Sequence, residues 1–202
     1  LEERAPMCGV PFHAAETYIN RLIEKGYKVA ICEQVEDPKK AKGLVKREVV
    51  RIVTPGTTLD AMSLDESKNN YLMSIVSIGD HFGCAIADIT TGDCFLTELD
   101  KPQKLLDEIN KFTPAEIICN DAFLLSGVDV EDLKGRLGIC VFALEPWYFD
   151  DQLCQKTLKE HFHVGNLEGL GIADYDSGII ASGALFLYLK ETQKTALSHM
   201  AS

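Results

Sequence analysis

Three consecutive strand-like runs joined by short turns constrain this fold more than any other feature of the chain. They are "YLMSIVSI" (71–78), "FGCAIADI" (82–89) and "CFLTEL" (94–99). The first turn is Gly79-Asp80, and residues 90–93 form the second. Turns this short join neighbouring strands of opposite direction. The pattern therefore predicts an antiparallel three-stranded meander.

Helix-like and strand-like patterns alternate after the meander. Pro102 begins a helical pattern with Asp100 as a possible cap, and its apolar face carries Leu105, Leu106, Ile109 and Phe112. "AEIICN" (115–120) and "GICVFAL" (138–144) are typical of buried strands, and "DAFLL" (121–125) of a short helix. This order predicts an α/β fold with a mixed sheet covered by helices, as in ribonuclease-H-like folds.

Two further helices complete this second unit. One runs from about 150 to 162, with Leu153, Cys154, Leu158 and Phe162 pointing inward, and the last runs from about 177 to 194. We therefore expect the second unit to begin at residue 70 and to end with this last helix.

The front of the chain has its own α/β pattern. Residues 14–25 have a helical apolar face followed by Gly26, and 27–35 and 47–54 are typical of strands. Residues 58–69 are polar and rich in turn-forming residues, which predicts a linker after a first unit at 1–57. That unit is small and has the pattern of the trailing part of a larger domain.

Positive charge is concentrated in the first unit, although the chain has a net charge of −11. Residues 1–60 hold ten Lys and Arg against nine Asp and Glu, whereas the rest hold ten against twenty-two. Between 39 and 51 there is a single acid, Glu48, and six bases: Lys39, Lys40, Lys42, Lys46, Arg47 and Arg51. A polyanion would be attracted to this end. The segment is either a solvated surface or a set of phosphate contacts.

The strand pattern also predicts how the basic side chains are arranged. Arg47 and Arg51 are four residues apart on one strand, so they are expected to share a face, with Lys46 on the other.

The seven cysteines indicate a reducing compartment. They are scattered, and none forms a C-x-x-C pair. We expect reduced cysteines that act as small core residues in a cytoplasmic protein. The longest nearly apolar run, 179–189, is too short to span a bilayer.

Motifs for catalysis are scarce. The chain has no G-x-x-x-x-G-K-[ST], G-x-S-x-G or H-E-x-x-H sequence, and His161 and His163 are badly spaced for a shared metal on a helix. A ribonuclease-H-like order raises the alternative of a metal-dependent nuclease, with Asp88 and Asp93 as its carboxylates. The preceding strand, 71–78, carries no acid, which favours Asp88 closing a hairpin and Asp93 capping a turn.

A long stretch near the amino end resembles the MutS family of bacterial mismatch-repair proteins. The matching motifs are "PMCGVPFH", "VAICEQ", "DP" and "KGLVKREVVRIVTPGT", followed in order by "ADITTGD", "PAEII", "GLG" and "ASGALFLYLKETQK". The resemblance covers the whole chain. It implies that 1–57 is the later part of mismatch-binding domain I, that 70–190 is the ribonuclease-H-like connector domain II without nuclease activity, and that 191–202 begins the core domain.

The resemblance also implies a function and its residues. Family members bind mismatched duplex DNA, and the matching positions here are Pro6, Met7, Lys42, Lys46, Arg47 and Arg51. The wedging Phe-x-Glu motif of the family is absent, because no Phe in the chain has Glu two positions later. The resemblance places that motif upstream of Leu1.

Partners follow from the same resemblance. The connector relays ATP-dependent changes between the DNA-binding and ATPase ends and docks MutL, for which Gln155, Lys156 and Lys159 are the candidate residues here. ATP, Mg and a homodimer belong to the full-length family member, in the bacterial cytoplasm near the nucleoid. For this chain the resemblance implies no catalytic residue, metal or cofactor. A pure protein-docking module is the remaining alternative.

Overall fold

The computed structural model describes residues 8–58 and 69–193, which form two α/β units in contact. The first unit contains a 3-10 turn (Phe12–Ala14), helix α1 (Ala15–Glu24) and strands β1 (Val29–Gln34) and β2 (Arg47–Val53). The two strands pair antiparallel. Gly26 has a φ of 81°, the left-handed conformation that commonly follows a helix end. The predicted order of helix, strand and strand is confirmed.

The second unit is built on a five-stranded sheet in the order β5-β4-β3-β6-β7. Its strands are β3 (Tyr71–Ile78), β4 (His81–Asp88), β5 (Cys94–Leu99), β6 (Glu116–Cys119) and β7 (Cys140–Ala143). Strands β3, β4 and β5 form an antiparallel meander, and β6 and β7 add in parallel. The predicted mixed sheet is confirmed.

Helices cover both faces of this sheet. In the described residues of the second unit they are α2 (Pro102–Phe112), α3 (Asp121–Leu124), α4 (Val130–Leu137), α5 (Asp151–Phe162) and α6 (Asp176–Thr192). Leu105, Ile109 and Phe123 fill the core on one face of the sheet, and α6 covers Leu72 and Ile118 on the other. Apolar burial on both faces explains why β3 and β6 read as continuous apolar runs.

Helix α4 was not predicted from the sequence. Its pattern is weak because only Leu133 is buried and Gly135 lies inside the helix. The Asp129 side chain accepts a hydrogen bond from the backbone N–H of Asp132 at 3.0 Å and so caps the helix start. The Asp129 cap and the packing of Leu133 in the core thus form a helix that has only a weak sequence pattern.

Two smaller expectations were wrong. Asp100 does not cap α2; its carboxylate lies 2.6 Å from the Lys104 amino group, one turn into the helix. Phe162 does not point fully inward but is 40% exposed, with its ring edge against Phe186. It is the last residue of α5, where the helical repeat no longer fixes which way a side chain faces.

Six of the seven cysteines are either buried or exposed, and Cys140 is half-buried. Cys84, Cys119 and Cys154 are buried and are core residues, as predicted. Cys8, Cys32 and Cys94 are free and exposed, so the prediction is wrong for them. Cys32 lies on a strand whose outer face is uncovered, which an apolar run of letters could not reveal. Within the described ranges, no helix is long and apolar enough to cross a bilayer.

Candidate nucleic-acid and partner interfaces

The predicted DNA-binding residues are at the tip and along the second strand of the β1–β2 hairpin. Lys39, Lys40 and Lys42 lie in the exposed loop between the strands. All three side chains are exposed to solvent. Pro6 and Met7 lie outside the described residues.

Lys46 ends this loop and carries a charge that is already paired. Its amino group lies 2.6 Å from the Glu48 carboxylate, and its backbone N–H donates to Glu36 Oε1 at 2.6 Å. The hydrogen bond to Glu48 raises the pKa of Lys46. A phosphate would therefore compete with Glu48 for this lysine.

The sharing of a face by Arg47 and Arg51 is contradicted by the strand register. Val49 lies opposite Cys32, but Arg51 lies opposite Ile31, so Val50 is an extra residue in β2. This bulge reverses the alternation beyond it. Arg47 therefore lies on one face of the hairpin, and Lys46, Glu48 and Arg51 lie on the other.

The two arginines also differ in environment. Arg47 is exposed, and a guanidinium N–H donates to the Val45 carbonyl at 3.3 Å. Arg51 is half-buried, and its Nε has no hydrogen-bond partner in the described structure. Arg47 is thus the arginine that an external phosphate reaches more easily.

The predicted partner-binding residues lie on α5. The Gln155 amide donates to both carboxylate oxygens of Asp151, and Lys156 is exposed and 3.8 Å from Glu160. Lys159 is half-buried. Gln155 and Lys159 together line a groove of about 360 Å³ between α5 and the start of α6, with Glu168, Asp176 and Ile179 on its other side.

The candidate nuclease carboxylates serve the hairpin. Asp88 Oδ1 accepts hydrogen bonds from the backbone N–H and the hydroxyl of Thr90, at 2.9 and 2.6 Å. Asp93 accepts from the Thr91 hydroxyl. Both carboxylates stabilise turns, which is the role that the sequence favoured over a nuclease site. No three His, Cys, Asp or Glu side chains of the described ranges are placed to share a metal ion.

A buried carboxylate between the two units was missed by the sequence reasoning. Glu116, on β6, is fully buried and lies where the hairpin meets the sheet. Its Oε2 accepts the backbone N–H of Gly56 at 2.8 Å, and its Oε1 accepts the hydroxyl of Tyr188 and lies 3.9 Å from the Lys28 amino group. The signal was visible in the sequence as one acid inside the apolar run "AEIIC".

Burial shapes the chemistry of this junction. It lowers the pKa of the Lys28 amino group, while the attraction of Glu116 opposes that change. It raises the pKa of Tyr188, as does the adjacent Glu116, so the phenol remains a donor. The Lys28 cation also lies 3.8 Å from the centre of the Phe142 ring and 5.0 Å from that of Tyr188. The partly exposed Lys28 cation thus offsets the charge of the buried Glu116 and also lies over the two rings.

Two α/β units joined through a buried carboxylate define a two-domain α/β protein. Family models agree: "MutS domain I" matches residues 1–62 and "MutS domain II" matches 70–201. The chain therefore belongs to the MutS family and contains sequence that matches its domains I and II.

Relatives named "DNA mismatch repair protein MutS" match almost the entire chain. The protein of Lachnoclostridium phytofermentans is 61% identical over 199 residues, covering 98% of this chain and 21% of the relative. Those of Ruminiclostridium cellulolyticum and Alkaliphilus metalliredigens are 51% and 49% identical, each over 99% of this chain and 23% of the relative. The chain thus spans about a fifth of the length of these relatives.

Proposed function

We propose that this chain supplies backbone contacts to duplex DNA and the connector of a mismatch-recognition protein. The observation that carries the proposal is the exposed basic loop, 39–46, at the tip of the β1–β2 hairpin. Contact between these lysines and phosphates releases condensed counterions, which favours binding whatever the base sequence. The acidic second unit is repelled by DNA, which leaves it free to meet other proteins.

The proposed contacts position the protein but do not read a mismatch. Phosphate contacts carry no sequence information, and no Phe-x-Glu wedge is present in the chain. We therefore expect weak binding without discrimination, with a Kd of about 10⁻⁴ to 10⁻⁶ M. Lys42 and Arg47 are the exposed candidates. Lys46 is already paired with Glu48, and Arg51 is half-buried.

Fluorescence anisotropy at low salt tests this function with a homoduplex and a G·T heteroduplex. The triple variant Lys39→Glu, Lys40→Glu, Lys42→Glu should abolish binding to both. Its matched control is Lys101→Glu, Lys104→Glu, Lys111→Glu, which makes the same charge change around α2. A clear preference for the heteroduplex, or equal losses in the two variants, would refute the proposal.

The second unit is proposed to dock MutL through α5. The groove beside Gln155 and Lys159 supports this role because it combines polar side chains with the apolar floor of Ile179. If the chain is instead a docking module alone, its basic loop contacts an acidic protein. Pull-down with MutL at rising salt tests whether the basic loop contacts a protein. DNA binding by the Lys39, Lys40 and Lys42 variant tests whether the same loop contacts DNA.

A further inference from the structure

One side chain of the other unit contacts both ends of the β1–β2 hairpin at its root. Lys28 immediately precedes β1, and Gly56 follows β2 within the turn "TPGT". Both contact Glu116, through the amino group in one case and the backbone N–H in the other. One carboxylate therefore joins both ends of the hairpin to the sheet.

The turn that receives Glu116 is itself tightly built. The Thr54 backbone N–H donates to the Thr57 hydroxyl oxygen at 3.1 Å, and the two hydroxyls are 2.7 Å apart. Asn70 donates to the carbonyls of Pro55 and Thr58, both at 3.3 Å. Thr54 and Thr57 are completely buried. The Gly56 N–H is thus presented in a fixed direction.

Glycine is required at position 56 by the closeness of this contact. A Cβ there would lie 2.8 Å from Glu116 Cβ, closer than real side chains approach, and 3.0 Å from Leu72 Cδ1. The backbone of the turn therefore touches the β6 side chain directly. About six residues of strand at ~3.3 Å each place the basic loop roughly 20 Å from the root. A small rotation of the hairpin at its root therefore moves the loop at its tip.

We propose that Glu116 is the positioning residue that fixes the orientation of the hairpin on the connector, by accepting the Gly56 N–H and pairing with Lys28. A fully buried carboxylate is costly unless it is paired and hydrogen-bonded. The two units therefore keep the one arrangement in which Gly56, Tyr188 and Lys28 all reach it. The orientation claim is independent of DNA; only its consequence for phosphate contact rests on the proposed function.

Nuclear magnetic resonance on this chain tests the claim without DNA. Residual dipolar couplings of residues 15–53 and 71–190 should fit one alignment tensor in the unsubstituted protein. Glu116→Ala and Lys28→Met should each require two tensors, and the Gly56 amide should exchange about tenfold or more faster. Lys28→Met keeps an unbranched side chain at this position and removes the cation that lies over the Phe142 ring.

Two further variants separate positioning from general stability. Lys104→Met removes a lysine from the exposed pair with Asp100 and should behave like the unsubstituted protein. The double variant Glu116→Gln, Lys28→Met removes both charges but keeps an oxygen for the Gly56 N–H, and should recover a single tensor.

If Glu116→Ala does not fold, Lys28→Met carries the test alone. A single tensor with unchanged Gly56 exchange in Lys28→Met would overturn the proposal. So would the same loss of order in Lys104→Met, or no recovery in the double variant.

Discussion

At the scale of single residues, burial decides which polar groups are reactive. Cys84, Cys119 and Cys154 are surrounded by apolar groups, and burial raises the pKa of each thiol to about 12. Cys32 has the same chemistry and a similar sequence context, but it is exposed. The letters "VAIC" and "EIIC" look alike, and only the covering of the strand distinguishes them.

Stability should therefore fall at alkaline pH. The thiols ionise at an ordinary pKa near 9.0 when unfolded but near 12 when folded, so the unfolded state loses protons first. Their contribution is complete below pH 9 and is lost as the pH rises towards 12. At pH 10 the loss is about 1 kcal/mol for a thiol as buried as Cys84.

Urea unfolding at pH 8 and pH 10 checks this expectation. Cys84→Ala should show a smaller decrease between the two pH values than the unsubstituted protein. Cys32→Ala, at an exposed position, should show the same decrease as the unsubstituted protein. Equal decreases in all three would contradict the assignment to the buried thiol.

At the scale of elements, close approach of the backbone sets how α5 and α6 pack. A Cβ on Gly183 of α6 would lie 2.2 Å from Cys154 Cβ and 2.4 Å from its Cα on α5. The strand bulge at Val50 is a second example, because one extra residue moved Arg51 to the face opposite Arg47. The apolar periodicity of a single helix or strand predicts neither feature.

Glycine-to-alanine substitutions in two helices should have opposite effects. Gly183→Ala should destabilise the protein by about 1–3 kcal/mol, because overpacking outweighs the gain in helix propensity. Gly135→Ala, in α4, has nothing within 4 Å of the new Cβ and should stabilise by about 0.5–1 kcal/mol. Thermal unfolding measures both, and a stabilised Gly183→Ala would show that the two helices separate easily.

At the scale of the whole molecule, charge is divided between two ends. Positive charge is at the hairpin tip, the acidic unit is behind it, and Glu116 joins the two. Because the net charge is −11, any DNA binding must overcome repulsion from the rest of the chain. The affinity should therefore depend strongly on salt and on how many lysines are free to reach phosphate.

Salt titrations of DNA binding should distinguish free from paired lysines. Lys42→Ala should reduce the slope of log K against log salt by about 1, since one phosphate contact is lost. Lys46→Ala should reduce it less, because Glu48 already neutralises that charge, and Glu48→Gln should strengthen binding. An equal reduction for Lys42→Ala and Lys46→Ala would contradict this assignment.

The sequence by itself determined the class of fold, the order of the elements along the chain and the ends of α2, because apolar periodicity, Pro102 and short turns are local signals. It also located the basic segment and, by resemblance, the family. Tertiary structure alone decided which face Arg51 occupies, which cysteines are covered and which acid joins the two units. Those outcomes depend on contacts between residues distant in the chain, such as Gly56 and Glu116, whose energies no local pattern encodes.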